Sequence, residues 1–88
     1  MAFSRWGDSI WYVYPDSAGF LCCHYDIDHG YFFDIAKSTV ESILAEVRKE
    51  FASAGINNEY AVDELRGILE ENWQEITTYG KEKHEKEN

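Results

Sequence analysis

A chain of 88 residues that is 44% hydrophobic and 16% aromatic is one domain and too apolar to stay disordered. At this size folding buries only about 60 to 65% of the unfolded surface, which leaves a thin core and little room for a buried catalytic cleft. Seventeen acidic against eight basic residues give a formal charge of -9, which repels nucleic-acid phosphates and anionic membranes and attracts basic partners.

Direct nucleic-acid binding is therefore disfavoured. No apolar run approaches a membrane span, and the N-terminus lacks a basic region followed by an apolar stretch, so a soluble, cytoplasmic protein is expected. Cys22 and Cys23 are adjacent. On a strand they point to opposite faces, so reduced thiols are expected rather than a mutual disulfide.

Residues 1–9 read as a lead-in, with Trp6 expected over an edge of the core and Gly7-Asp8 as a turn. Ile10 to Tyr14 is a run of β-branched and aromatic residues and predicts a strand; Pro15 to Gly19 carries the turn, with Pro15 preset for type I geometry. Phe20 to Ile27 predicts the second strand, and Asp28-His29-Gly30 a second turn in which Gly30 supplies positive φ. Tyr31 to Ile35 is the third strand. Such short links imply an antiparallel meander.

The segment from Ser38 to Gly55 predicts a helix, because Val40, Ile43, Leu44, Val47 and Phe51 share one stripe. Ser38 with Glu41 reads as its capping box, and Gly55 followed by Ile56 as its left-handed close. Asn57-Asn58 offers the N-cap of a second helix, whose stripe is Ala61, Leu65, Ile68, Leu69, Trp73 and Ile76. Gly67 inside it is expected to mark a close approach, and Gly80 the helix end. The domain thus spans 1–80, and 81–88 form a charged, disordered tail.

The fold class that follows is α+β: a three-stranded antiparallel meander and two helices packed on one face, βββαα, in two layers. Trp11, Val13, Leu21, Cys23, Tyr25, Ile27, Tyr31, Phe33 and Ile35 are assigned to the inner face of the sheet. Tyr12, Tyr14, Phe20, Cys22, His24, Asp26, Phe32 and Asp34 make up the outer one.

Three groupings bear on function. Cys22, His24 and Asp26 share a strand face and carry thiolate, imidazole and carboxylate donors, but zinc sites usually pair two separated ligand couples, so a metal-binding domain is only an alternative and no cofactor is expected. Cys22 with His24 or His29 lacks the cationic surroundings that activate a thiol; Asp26, Asp28 and Asp34 raise its pKa instead, and a non-enzymatic protein is expected. The third grouping is an aromatic and acidic surface. Tyr12, Tyr14 and Phe32 lie beside Asp26 and Asp34, while Glu64, Glu71 and Glu75 share one face of the second helix and Asp63 and Glu70 another. A solvated face that keeps a small domain soluble is the plain reading. The functional reading is a surface that engages a basic groove on another protein, aromatic rings anchoring and carboxylates guiding.

The opening Ser4-Arg5-Trp6-Gly7-Asp8-Ser9-Ile10-Trp11-Tyr12-Val13-Tyr14 resembles the starts of short phage and prophage proteins, and the size and acidity are similar to those of anti-CRISPR and other anti-defence inhibitors. That resemblance implies a stoichiometric inhibitor of a nucleic-acid-binding defence protein, acting as a DNA mimic. A module that pairs with itself through the aromatic sheet face, as a homodimer, is the other alternative.

Overall fold

The computed structural model describes residues 1–86 and the side chains of residues 1–82. Three antiparallel strands, β1 (Tyr12–Pro15), β2 (Phe20–Asp26) and β3 (His29–Asp34), lie in the order β1-β2-β3. A 3-10 turn (Ile35–Lys37) leads into α1 (Val40–Ala54) and then α2 (Glu59–Lys86). This is the βββαα, α+β arrangement that the sequence predicts. No helix of the described residues is long and apolar enough to cross a membrane.

One core joins the layers. Val13, Leu21, Cys23, Phe33 and Ile35 from the sheet side meet Ile43, Leu44, Val47 and Phe51 of α1 and Ala61, Val62, Leu65, Leu69 and Ile76 of α2. Trp11 is its centrepiece. Its ring lies 5.9 Å from Phe51 and nearly parallel to it, and its indole N–H donates to the Ala61 carbonyl at 2.7 Å. Burying the indole gains apolar area only because that N–H has a partner.

Local chemistry sets the element ends, in places otherwise than the sequence pattern implies. The capping box of α1 is Thr39 with Ser42, not Ser38 with Glu41: Thr39 Oγ1 accepts from Ser42 N–H at 3.0 Å, and Ser42 Oγ accepts from Thr39 N–H at 2.8 Å. Ser38 closes the 3-10 turn instead, and its hydroxyl donates to the Asp34 carbonyl. At the other end Gly55 adopts φ 73°, and the N–H of Ile56 donates to the Phe51 carbonyl at 2.8 Å, as expected. Asn58 caps α2, its Oδ1 accepting from Ala61 N–H.

Pro15 belongs to β1 rather than to the turn, and the hairpin is built by Asp16, whose Oδ1 accepts from Ala18 and Phe20 N–H, with Gly19 at φ 89°. The second turn is Ile27-Asp28, one step earlier than expected. The β2–β3 pairing shifts between His24 and Asp26, so the alternation breaks there and Ile27 stands 88% exposed at the turn, not on the inner face. Gly30 is a strand residue without positive φ; its lack of a side chain leaves room for the His24 ring, which a Cβ would strike.

The two glycines of α2 exchange roles. Gly67 is exposed and has open space around it, whereas Gly80 is buried against Ile35, where a Cβ would come within 2.8 Å of the Ile35 Cβ. Gly80 therefore marks the close approach, and α2 passes through it to Lys86 instead of stopping there. Residues 81–86 are helical, so the expected disordered tail is corrected over that span; residues 87 and 88 lie outside the described residues.

Candidate protein-binding surface

The helices cover one face of the sheet and leave the other to the outward side chains. Register sets them in rows across the strands: Tyr12, His24 and Gly30 in one, Tyr14, Cys22 and Phe32 in the next, Phe20 and Asp34 in the last. These are cross-strand neighbours, close enough for rings to touch.

His24 is the hub of what results. Its ring stacks on Tyr14 at 5.6 Å and meets Phe32 edge-on at 5.8 Å and Trp6 edge-on at 6.3 Å. Tyr14 Oη and His24 Nε2 share a hydrogen bond of 3.2 Å. Tyr12 bridges Tyr14 and Trp6, at 5.0 and 5.5 Å. Trp6 is not over the core edge; it folds onto the outer face, and its indole N–H donates to the His24 carbonyl at 3.2 Å. Gly7 at φ 101°, with Asp8 and Ser9 N–H donating to the Arg5 carbonyl, makes the turn that brings Trp6 back. Trp6, Tyr12, Tyr14, His24 and Ile27 line an open hollow of about 340 Å³. Trp6 is 46% and Phe32 59% exposed.

Cys22 sits beneath these rings and is buried. Burial first, and then the Asp16 carboxylate, push its thiol above the ordinary value, while a hydrogen bond with Tyr14 opposes them. Burial likewise lifts the Tyr14 phenol, with Cys22 adding to it. A thiol raised in this way stays protonated near neutral pH, which is the opposite of what a nucleophile needs. Cys22, His24 and Asp26 do not converge, since the cysteine is covered, the imidazole is stacked and Asp26 turns to His29 at 2.8 Å. Among the described residues no group of three or more His, Cys, Asp or Glu side chains is placed to hold a metal ion.

Carboxylates flank the aromatic strip at both ends. Asp26 and Asp28 sit at the β2–β3 turn, Asp16 and Asp34 at the opposite end. Asp16, Asp26 and Asp34 each accept backbone N–H bonds through Oδ1. A carboxylate has acceptor capacity on both oxygens, so the Oδ2 atoms remain able to meet a cation.

The acids of α2 are elsewhere. They belong to the helical layer, whose solvent face is opposite the aromatic strip, so the expected surface is divided between two sides of the molecule. Asp63, Glu71 and Glu75 are exposed there, Glu70 pairs with Arg66 at 3.5 Å, and Glu64 is committed to the Ile10 N–H at 3.0 Å. Trp6 and Ile27 are the strip residues that strand alternation could not supply. The signal for Trp6 was Gly7, the glycine that turns the lead-in back; for Ile27 there was none, because the register shift in β2 leaves no trace in the pattern.

No protein-family model matches this chain, and neither curated proteins nor solved structures yield a match.

Proposed function

We propose that this chain is a non-enzymatic protein-binding domain that docks on a basic, nucleic-acid-binding surface of another protein and blocks it. The observation that supports this reading is the aromatic strip of exposed Trp6 and Phe32 with half-buried Tyr12 and Tyr14, flanked at each end by carboxylates, on a chain of charge -9. Aromatic side chains supply large contact area at small entropic cost and are enriched where binding energy concentrates. Carboxylates at the rim select lysine- and arginine-rich partners and speed encounter. The acids of α2, on the far layer, add to the long-range field without touching the partner. The resemblance of residues 4–14 to openings of phage proteins makes a host defence enzyme the partner of this proposal, with the acidic rim standing in for phosphates.

The test separates anchors from charge. Tagged protein is used to capture proteins from a bacterial lysate at low and high salt, and captured nucleic-acid-binding proteins are challenged with duplex DNA. Tyr12→Ala and Phe32→Ala are expected to speed dissociation, and Glu71→Gln with Glu75→Gln to slow association and flatten its salt dependence. Glu64 is left intact because it holds the Ile10 N–H. Capture that is unaffected by either anchor substitution, or that DNA does not compete, would remove this surface from the proposal.

A further inference from the structure

The sheet has two edges, and they are finished differently. At β1 the Asp16 N–H donates to the Phe20 carbonyl at 2.8 Å, which fixes the phase of the ladder: Tyr12 and Tyr14 bond β2, and Trp11, Val13 and Pro15 direct their backbone groups outward. Those of Trp11 and Val13 are met. Val13 N–H donates to the Ser4 carbonyl at 3.1 Å, and the Val13 carbonyl accepts from Phe3 N–H at 2.8 Å. Trp11 N–H donates to Ser9 Oγ, and its carbonyl accepts from the Ser4 hydroxyl. Pro15 has no N–H to satisfy. The N-terminal segment closes this edge.

At β3 the Ile35 N–H donates to the Gly19 carbonyl at 3.2 Å, which fixes the phase there too. Tyr31 and Phe33 bond β2, while Gly30, Phe32 and Asp34 face outward. The Asp34 carbonyl takes the Ser38 hydroxyl at 2.7 Å. The N–H groups of Gly30, Phe32 and Asp34 and the carbonyls of Gly30 and Phe32 have no partner among the described residues. Nor does the edge carry protection, since His29-Gly30-Tyr31-Phe32-Phe33-Asp34 contains no lysine, arginine or proline. Sheet proteins ordinarily blunt such an edge, because it templates pairing with another chain.

The geometry points to β3 as the acceptor of a fourth strand, donated by an extended basic segment of the partner and paired along Gly30, Phe32 and Asp34. The basic character of that segment rests on the function proposed above; the pairing does not. Main-chain bonds supply affinity in this mode, and side chains alternating from the added strand continue the aromatic outer face beside Phe32. Charge decides the occupant. Asp26 and Asp28 stand at one end of β3 and Asp34 at the other, so cations at both ends of an incoming strand are matched. A second copy pairing antiparallel about Phe32 would instead set Asp34 of each chain beside the Asp26–Asp28 turn of the other, like charge against like at both ends.

The probe is a short end-capped peptide of alternating valine and threonine with arginine at each end, followed by fluorescence anisotropy and by amide hydrogen exchange of the full chain. Binding is expected to slow exchange at Gly30 and Phe32 by about tenfold or more and to leave Val13 unchanged. A peptide N-methylated at alternate amides is expected to lose binding. Phe32→Pro removes the outward N–H without touching the β2 ladder and is expected to lose binding, while Phe32→Ala, which keeps the N–H, retains exchange protection at Gly30. Should Phe32→Pro fail to fold, the N-methylated peptide carries the same comparison. Equal binding of the methylated peptide, or none by the parent, overturns the edge and leaves the aromatic face standing. Equal binding of a peptide with serine for arginine overturns the basic occupant. A dimer by light scattering with Phe32 already protected assigns the edge to a second copy and overturns the proposal.

Discussion

Carboxylates on the two layers of this molecule do different things. On the sheet side Asp16, Asp26 and Asp34 each accept from backbone N–H groups within their own turns. On α2 Asp63, Glu71 and Glu75 make no such bond among the described residues and stand in solvent. Aspartate in a turn can bond backbone N–H groups two to four residues ahead, whereas glutamate on a helix face has its backbone N–H groups already engaged. The same formal charge therefore builds hairpins on the sheet side, while on α2 Asp63, Glu71 and Glu75 supply only a field and Glu64 is the exception that holds the Ile10 N–H. Charge counting cannot tell these apart.

Breaking that distinction altogether requires separating the layers, and the largest effect is expected there. Trp11→Ala removes the stack on Phe51 and the indole hydrogen bond to the Ala61 carbonyl. A loss of about 3 to 5 kcal/mol is expected in urea unfolding, a large part of the stability of so small a domain. A loss below about 1 kcal/mol would mean that the layers are held elsewhere. Next in size is a test of the comparison itself. Asp16→Ala deletes the acceptor for Ala18 and Phe20 N–H, at 2.8 and 2.9 Å, and is expected to cost about 1 to 2 kcal/mol. Glu71→Gln with Glu75→Gln should stay within about 0.5 kcal/mol of the parent. Equal losses from the two sets would erase the difference between the layers.

The fold was legible because its signals are periodic. The stripe of Val47 and Phe51 and the glycine at 55 are one-dimensional patterns that need no tertiary context. The site was legible only in part, since Tyr12, Tyr14 and Phe32 follow from strand alternation but their neighbours do not. Trp6 reaches the face through a turn outside the strands, and Ile27 leaves the core because one extra residue in β2 resets the alternation. Ser38 reads as the cap in sequence, but its hydroxyl is bonded to the Asp34 carbonyl and the neighbouring Thr39 caps α1 instead. Gly67 and Gly80 look alike in sequence; only the position of Ile35 separates them. Each miss depends on a contact between residues that the local pattern does not relate.

The smallest effect sharpens the comparison by titration. The Asp26 carboxyl is held below the usual carboxylate value, first by the hydrogen bond from His29, which outweighs the opposing desolvation, with a lesser contribution from the Asp28 N–H. A carboxyl depressed in the folded state contributes stability that is complete above its unfolded pKa, near 4, and is lost as the pH falls through the lower folded value. Stability should therefore decline on acidification below about pH 4, and the decline should be shallower in Asp26→Asn. His29→Ala removes the main donor, so carboxyl-carbon NMR should show Asp26 titrating at higher pH than in the parent protein. Were Asp26 to titrate in the ordinary range in both, its bond to His29 would not be held in solution. The carboxylates of the β2–β3 turn would then be as unconstrained as those of α2, and the strip would lose one of its two fixed acidic ends.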